Sequence, residues 1–84
     1  MVVVNGKFFY KPTCIKCPPA KRVVEELKRR GIAIEEYDIS TKNGLTEAVL
    51  NGILSTPTLL LSLDSKETRT YTDKFQCLLK ESFL

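Results

Sequence analysis

The stretch Cys14-Ile15-Lys16-Cys17-Pro18-Pro19 decides how the rest of this sequence is interpreted. Two cysteines separated by two residues stand directly before a strongly helical segment. Prolines are tolerated in a first helical turn because the N–H groups there have no intrahelical partners. Beyond them, apolar residues recur at the spacing of an amphipathic helix, namely Ala20, Val23, Val24 and Leu27. We expect this helix to end where Gly31 supplies a left-handed C′ position.

The segments on either side of this helix predict β-strands. Val2 to Val4 and Lys7 to Tyr10 are β-favouring runs separated by Asn5-Gly6, which is either a hairpin turn or a bulge within one strand. We favour one interrupted strand. Residues 32–39 predict a second strand, and a strand–helix–strand unit implies a right-handed parallel crossover.

The second half of the chain predicts a helix followed by two strands. Residues 40–44 form a polar loop, and a short helix from Leu45 to Leu50, built around Leu45, Ala48 and Val49, is expected to stop at Gly52. The apolar run from Thr58 to Leu61 suits a buried central strand, and a turn at 64–66 leads into an antiparallel partner over 67–71.

The last segment predicts a third helix, with Thr72 or Asp73 as its N-cap. Its apolar residues stand at helical spacing: Phe75, Leu78, Leu79 and Phe83. The predicted order is therefore β-α-β-α-β-β-α, an α/β fold with a four-stranded mixed sheet flanked by helices. A chain of 84 residues leaves room for a single domain, which we assign to residues 1–84.

Composition and charge restrict the classes of function. The chain is 43% hydrophobic and 27% charged with a net charge of +3, values typical of a soluble globular domain. No stretch approaches the roughly twenty apolar residues of a membrane span, and no signal peptide is recognisable. We therefore expect a cytoplasmic monomer with no membrane and no nucleic-acid partner.

The cysteine pattern indicates redox chemistry. Three cysteines are too few, and odd in number, for the disulfide framework of a secreted mini-protein. Thiol–disulfide exchange needs one exposed thiolate to attack and a second thiol to resolve the mixed disulfide. Cys14 at a helix N-terminus is favoured as thiolate, whereas Cys17 within the first turn is more enclosed, so we assign Cys14 as attacker and Cys17 as resolver.

A metal site is the alternative interpretation of the same cysteine pair. A Cys-x-x-Cys pair also forms half of many zinc sites, but the chain has no histidine and its only further thiol is Cys77. Cys77 lies among apolar residues of the predicted last helix, where a free cysteine behaves as a small apolar side chain. We expect no bound metal.

The order of elements, with Cys14-x-x-Cys17 opening the first helix and Thr56-Pro57 opening the third strand, resembles the thioredoxin-like fold, closest to the glutaredoxins and glutaredoxin-like proteins. The resemblance covers nearly the whole chain. It implies a cis Pro57 facing the cysteine pair, and a Thr56 backbone that pairs with an extended substrate or with glutathione. It also implies that Lys11 meets one glutathione carboxylate and that Thr72-Asp73 holds the other end of that molecule.

Some positions depart from these families. The Gly-Gly pair that glutaredoxins carry near Tyr71-Thr72 is absent, and Ile15-Lys16 replaces both their Pro-Tyr pair and the Gly-Pro pair of thioredoxins. The chain also contains no Trp, so the Trp that precedes the first thioredoxin cysteine is missing. The sequence resembles a glutaredoxin-sized dithiol redoxin intermediate between the two families.

The resemblance and the cysteine chemistry together give a predicted site and function. Cys14 and Cys17 are the expected catalytic residues of a protein-disulfide reductase or electron donor with no bound cofactor. We expect it to be regenerated by a flavoprotein reductase or by glutathione, which is a candidate reductant or substrate. The residues expected to bind substrate are Lys11, Thr13, Ile15, Lys16, Thr56, Pro57, Thr72 and Asp73.

Three alternatives remain open at this point. The first is a glutathione-dependent glutaredoxin, and the second is a module that binds zinc or an iron–sulfur cluster between two subunits. The third rests on basic residues expected near one end of the fold, which could bind nucleic acid or steer acidic partner proteins toward Cys14. These residues are Lys7, Lys11, Lys16, Lys21 and Arg22.

Overall fold

A computed structural model of the chain describes residues 3–14, 17–64 and 66–72. Its elements in chain order are β1 (Val3–Tyr10), α1 (Cys17–Arg29), β2 (Ala33–Asp38), α2 (Lys42–Leu50), β3 (Thr58–Leu63) and β4 (Thr68–Tyr71). The order confirms the prediction from the first strand to the fourth. The predicted third helix, together with Asp73 and Cys77, lies outside the described residues.

The four strands form one mixed sheet in the order β2-β1-β3-β4. β1 is parallel to β2 and antiparallel to β3, and β3 is antiparallel to β4. The register places four residues at one end of the sheet, which we call the upper end: Tyr10, Asp38, Thr58 and Tyr71. The turn between β3 and β4 therefore lies at the opposite, lower end.

β1 is a single strand with an irregularity, as predicted. Its pairing with β3 shifts register between Val3 and Asn5. At Gly6 a Cβ atom would lie 2.8 Å from Cδ2 of Leu61 and 3.0 Å from the carbonyl oxygen of Leu60. Contacts under 3.0 Å are too close for a real Cβ, so the glycine permits the close approach of β3 to β1.

α1 forms the main core with one face of the sheet. All four apolar residues that predicted this helix are buried, and Leu27 is fully inaccessible. They pack in one cluster with Phe8, Leu59 and Leu61. Gly31 has a φ of 91°, and the N–H of Ile32 donates to the carbonyl of Leu27, which confirms the predicted C-terminal stop.

α2 begins three residues earlier than predicted. The Thr41 hydroxyl caps it by accepting a hydrogen bond from the N–H of Gly44 at 3.0 Å, so part of the expected polar loop is helical. Of the three residues expected to define this helix, only Ala48 is buried, whereas Leu45 and Val49 are 52% and 68% exposed. The buried face consists of Gly44 and Ala48.

Gly44 explains why this helix buries small residues. A Cβ atom there would lie 1.9 Å from the carbonyl oxygen of Asp38, so the helix backbone lies almost directly against the end of β2. An ion pair between Lys7 and Glu47, at 2.5 Å, joins α2 to β1. The hydrogen bond between them raises the pKa of Lys7 and lowers that of Glu47.

No helix in the described part of the chain is long and apolar enough to span a membrane.

Candidate active site

Cys14 and Cys17 are joined by a disulfide, with their Cα atoms 5.3 Å apart. Two backbone hydrogen bonds involve the disulfide-bonded cysteines. The N–H of Cys14 donates to the carbonyl of Lys11 at 3.2 Å, and the N–H of Cys17 donates to the carbonyl of Cys14 at 3.3 Å. Cys17 is the first residue of α1, so the pair stands at the N-terminus of this helix, as predicted.

The two cysteines differ in exposure. Cys17 is only 5% exposed and belongs to the buried face of α1. Cys14 is half-buried. The disulfide therefore joins a buried Cys17 to a half-buried Cys14. This asymmetry is the one expected if Cys14 attacks and Cys17 resolves.

The loop before β3 carries the second element of the site. The Thr56–Pro57 peptide bond is cis, as the resemblance implied. Pro57 is buried and Thr56 half-buried. Thr58 is only 1% exposed, and its hydroxyl donates a hydrogen bond to the carbonyl of Ser55 at 2.7 Å. This bond links the two residues that flank the Thr56–Pro57 pair.

This role of Thr58 was not predicted from the sequence. The available signal was the polar pattern Ser55-Thr56-Pro57-Thr58, in which short hydroxyl side chains stand on both sides of a proline. Such local bonds are common for Ser and Thr in turns, but the sequence does not show which carbonyl accepts.

The sheet register brings most of the predicted substrate-binding residues to the upper end. Lys11 and Thr13 follow Tyr10 there and are exposed, and Thr72 directly follows the end of β4. Thr56 and Pro57 directly precede Thr58, which pairs with Phe9 of β1. The remaining predicted residues, Ile15, Lys16 and Asp73, lie outside the described part of the chain.

Two of the five basic residues that the sequence grouped at one end are held by carboxylates. Lys7 lies within β1 and pairs with Glu47. Lys21 lies 3.7 Å from Glu36 and 5.6 Å from the ring centroid of Tyr10. Within the described residues, Lys11 and Arg22 make no ion pair. Of the four described members of this group, two are therefore paired with carboxylates and two have no described ion-pair partner, whereas Lys16 lies outside the described residues.

Glu36 shows how the lysines of α1 are held against β2. Lys28 contacts one oxygen of Glu36 at 2.5 Å, and Lys21 approaches the other at 3.7 Å. The hydrogen bond from Lys28 raises the pKa of that lysine. Among the described residues, no cluster of three or more His, Cys, Asp or Glu side chains is arranged to hold a metal ion.

Two curated archaeal proteins are similar to the chain in sequence. A probable thioredoxin of Archaeoglobus fulgidus is 37% identical over 61 residues, which cover 71% of this chain and 67% of that protein. A thioredoxin of Methanocaldococcus jannaschii is 35% identical over 65 residues, covering 76% of each chain. The chain belongs to the thioredoxin family. No protein-family model matches it.

Solved structures agree on the fold of this thioredoxin-family protein. Oxidised thioredoxin O2 from Arabidopsis thaliana superposes with a TM-score of 0.74 at 15% identity, covering 95% of this chain and 75% of that one. Fasciola hepatica thioredoxin gives 0.74 at 18% identity, covering 94% and 76%. At these identities the likeness concerns the fold alone, and it confirms the predicted thioredoxin-like architecture.

Family membership and the Cys14–Cys17 disulfide together identify a thiol–disulfide oxidoreductase that works by a dithiol mechanism. The sequence resemblance placed the chain closest to the glutaredoxins. The curated relatives are thioredoxins instead, so the glutaredoxin alternative is not favoured.

Proposed function

We propose that this protein is a thioredoxin-type protein-disulfide reductase in which Cys14 attacks and Cys17 resolves. The observation that carries this assignment is the unequal burial of two disulfide-bonded cysteines at the start of α1. A substrate disulfide reaches the outer cysteine more easily than the inner one. The inner cysteine is already placed for attack on the outer sulfur.

The reaction consists of two exchange steps. In the reduced protein the Cys14 thiolate attacks one sulfur of the substrate disulfide, and the other substrate sulfur leaves as a thiolate that takes up a proton. The Cys17 thiolate then attacks the Cys14 sulfur, which forms the Cys14–Cys17 disulfide and releases the second substrate thiol. Two electrons and two protons pass from the protein to the substrate.

The helix start supports the attacking thiolate. Unpaired N–H groups and the positive end of the α1 dipole lie next to Cys14, an effect of about 0.3–1 kcal/mol on a nearby anion. Neither α1 nor α2 carries an acidic residue in its first turn. No carboxylate in these two turns therefore opposes the thiolate.

We assign substrate binding to the surface around the disulfide. The Thr56 backbone, held between Ser55 and Thr58, is proposed to pair with an extended substrate segment, beside the buried Pro57. The remaining proposed contacts come from residues around Cys14 and after β4: Lys11, Thr13, Ile15, Lys16, Thr72 and Asp73.

A flavoprotein reductase of the thioredoxin-reductase type is the proposed electron source, because the relatives that match the chain are thioredoxins. Glutathione is the competing reductant, and no bound cofactor takes part in the proposed reaction. A monomeric protein in the reducing cytoplasm fits a dithiol that must be kept reduced to act. Comparing the rate of disulfide reduction by glutathione with the rate by an NADPH-dependent flavoprotein reductase tests this assignment.

Trapping of mixed disulfides tests the two cysteine roles. In a Cys77→Ser background, Cys17→Ser is expected to form a stable adduct with a disulfide-bonded peptide, detected by intact mass, because the resolving thiol is missing. The matched variant, Cys14→Ser, is expected to form far less adduct because its remaining thiol is buried. Equal trapping by both variants, or faster trapping by Cys14→Ser, would contradict the assignment.

A further inference from the structure

Some exposed cations have no carboxylate partner among the described residues. Lys11, Arg22 and Lys42 are exposed, and none of them makes an ion pair with any described residue. Among the described residues, no carboxylate therefore competes with a partner for Lys11 or Lys42.

The backbone places Lys11 and Lys42 close to the cysteine pair. The carbonyl of Lys11 accepts the N–H of Cys14. The chain after β2 returns to the same end, because the N–H of Ile39 donates to the carbonyl of Tyr10 at 2.9 Å. Three residues later, Lys42 opens α2.

The described carboxylates form no ion pair with Lys11 or Lys42. Glu36 and Glu47 are engaged by lysines from other elements. Asp38, at the upper end, keeps its negative charge, but its Oδ1 accepts hydrogen bonds from the N–H and the hydroxyl of Ser40 rather than from a lysine. Lys42 also stands in the first helical turn, where an acidic residue is normally favoured and a cation is disfavoured by the helix dipole, so its charge does not serve the stability of α2.

The lower end of the molecule is arranged differently. Arg29 and Arg30, at the end of α1, both contact Glu26. Arg69 lies 3.6 Å from Glu67. Lys66 stands in the turn between β3 and β4 with Asp64 and Glu67 close by in sequence. The cations at this end are thus interspersed with acids.

From this asymmetry we infer that the protein acts preferentially on disulfides flanked by acidic residues, which an acidic segment of the partner protein presents to Lys11 and Lys42. This inference rests on the proposed function and names its substrate class. An acidic peptide fits better than a nucleic acid because Lys11 and Lys42 lie at the end of the sheet that carries the disulfide, and the reaction partner of a dithiol is another disulfide. Nucleic acid offers the charge but no sulfur to exchange.

Three synthetic peptides, each closed by one internal disulfide and flanked by Glu, Gln or Lys, provide the test. The pre-reduced protein, in a Cys77→Ser background, is mixed with each peptide in single-turnover experiments. At about 0.01 M salt, where the Debye length is about 30 Å, we expect the Glu peptide to be reduced about tenfold faster than the Lys peptide. At about 1 M salt, where it is about 3 Å, we expect the ratio to approach one.

Charge reversal locates the effect. Lys42→Glu is expected to reduce the Glu-to-Lys rate ratio about threefold or more at low salt, and a glutamate in the first turn of α2 suits the helix dipole. Lys66→Glu changes the net charge equally, but at the lower end, and is expected to leave the ratio unchanged. An equal effect of both variants would mean that only net charge matters and would overturn the inference.

The outcomes separate this inference from the proposed function. Reduction of all three peptides at equal, salt-independent rates overturns the acidic preference and leaves the reductase function standing. Failure to reduce any of the peptides overturns both. Loss of single-stranded RNA or DNA binding in Lys42→Glu, with an unchanged peptide ratio, assigns the cations to nucleic acid and also overturns the inference.

Discussion

The two helices pack on the sheet in different ways. α1 buries a stripe of aliphatic side chains together with Cys17, and its core positions are almost fully inaccessible. α2 buries Gly44 and Ala48 and exposes Leu45, Val49 and Leu50. Its attachment relies on close backbone approach and on the Lys7–Glu47 pair.

The two helices are therefore held against the sheet by different means: α1 by hydrophobic burial and α2 by local geometry. Burial of aliphatic side chains holds α1, which begins with Cys17, and each buried valine or leucine contributes about 1.5–3 kcal/mol. The packing of α2 depends instead on Gly44, where there is no room for a side chain, and on the partly exposed ion pair between Lys7 and Glu47. Stability should therefore respond to truncation on α1 and to added volume on α2.

Truncation of α1 should give the largest effect on stability. Leu27→Ala is expected to lower the free energy of unfolding by about 2–5 kcal/mol because Leu27 is fully buried in the main cluster. Val49→Ala on α2 is the matched control. Because Val49 is 68% exposed, its truncation should change stability by less than about 0.5 kcal/mol. Urea unfolding with similar losses for both variants would remove the contrast between the helices.

Added volume on α2 should come next. Gly44→Ala is expected to destabilise the fold by about 1–3 kcal/mol, because the new Cβ would lie 1.9 Å from the carbonyl oxygen of Asp38. A glycine-to-alanine change inside an unobstructed helix stabilises by about 1 kcal/mol, so the sign of the change is informative. A more stable Gly44→Ala variant in the same urea assay would show that α2 does not lie against β2 as described.

The loop that carries Pro57 should be less sensitive. Thr58→Val keeps the shape of the side chain but loses the hydrogen bond to the Ser55 carbonyl, for an expected cost of about 1 kcal/mol. We also expect slower peptide reduction, because this bond fixes the segment proposed to pair with substrate. Thr70→Val on the exposed side of β4 is the control. Unchanged stability and rate in Thr58→Val would argue against this role.

The smallest effect is expected at the ion pair and should depend on pH. The lowered pKa of Glu47 means that its pairing contributes stability above the unfolded value of 4.5 and loses that contribution as the pH falls through the folded pKa. Glu47→Gln should therefore be less stable than the parent at neutral pH, and the difference should shrink below pH 4.5. Glu67→Gln, at a more exposed carboxylate, is the control. A difference that grows on acidification would contradict the assigned shift.

The same contrast explains which features could be predicted from the sequence. The regular spacing of Ala20, Val23, Val24 and Leu27 predicted α1 and its buried face, because an apolar stripe at helical spacing is stable only when it packs against the core. The pattern of α2 was misleading in its first turn. Leu45 and Val49 face outward, and the start of the helix depends on a Thr41 cap and on a close approach of Gly44 to Asp38 that no local pattern reveals.

The site shows a similar division. The Cys-x-x-Cys spacing predicted that the two cysteines meet, and the family resemblance supplied the cis Pro57. The hydrogen bond from Thr58 and the ion pair between Lys7 and Glu47, which are 40 residues apart in sequence, were not predicted. Both depend on backbone positions in three dimensions, which the residue types at these positions do not show.

The assignment as a dithiol reductase depends above all on the reduction potential of the Cys14–Cys17 disulfide. The oxidised and reduced forms would be measured by intact mass in glutathione and dithiothreitol buffers, with Cys77→Ser as the control for the third thiol. We expect a two-electron couple between about −270 and −200 mV that persists in that control. A disulfide that fails to form between these two cysteines, or that disappears when Cys77 is replaced, would contradict the assignment of this protein as a dithiol reductase.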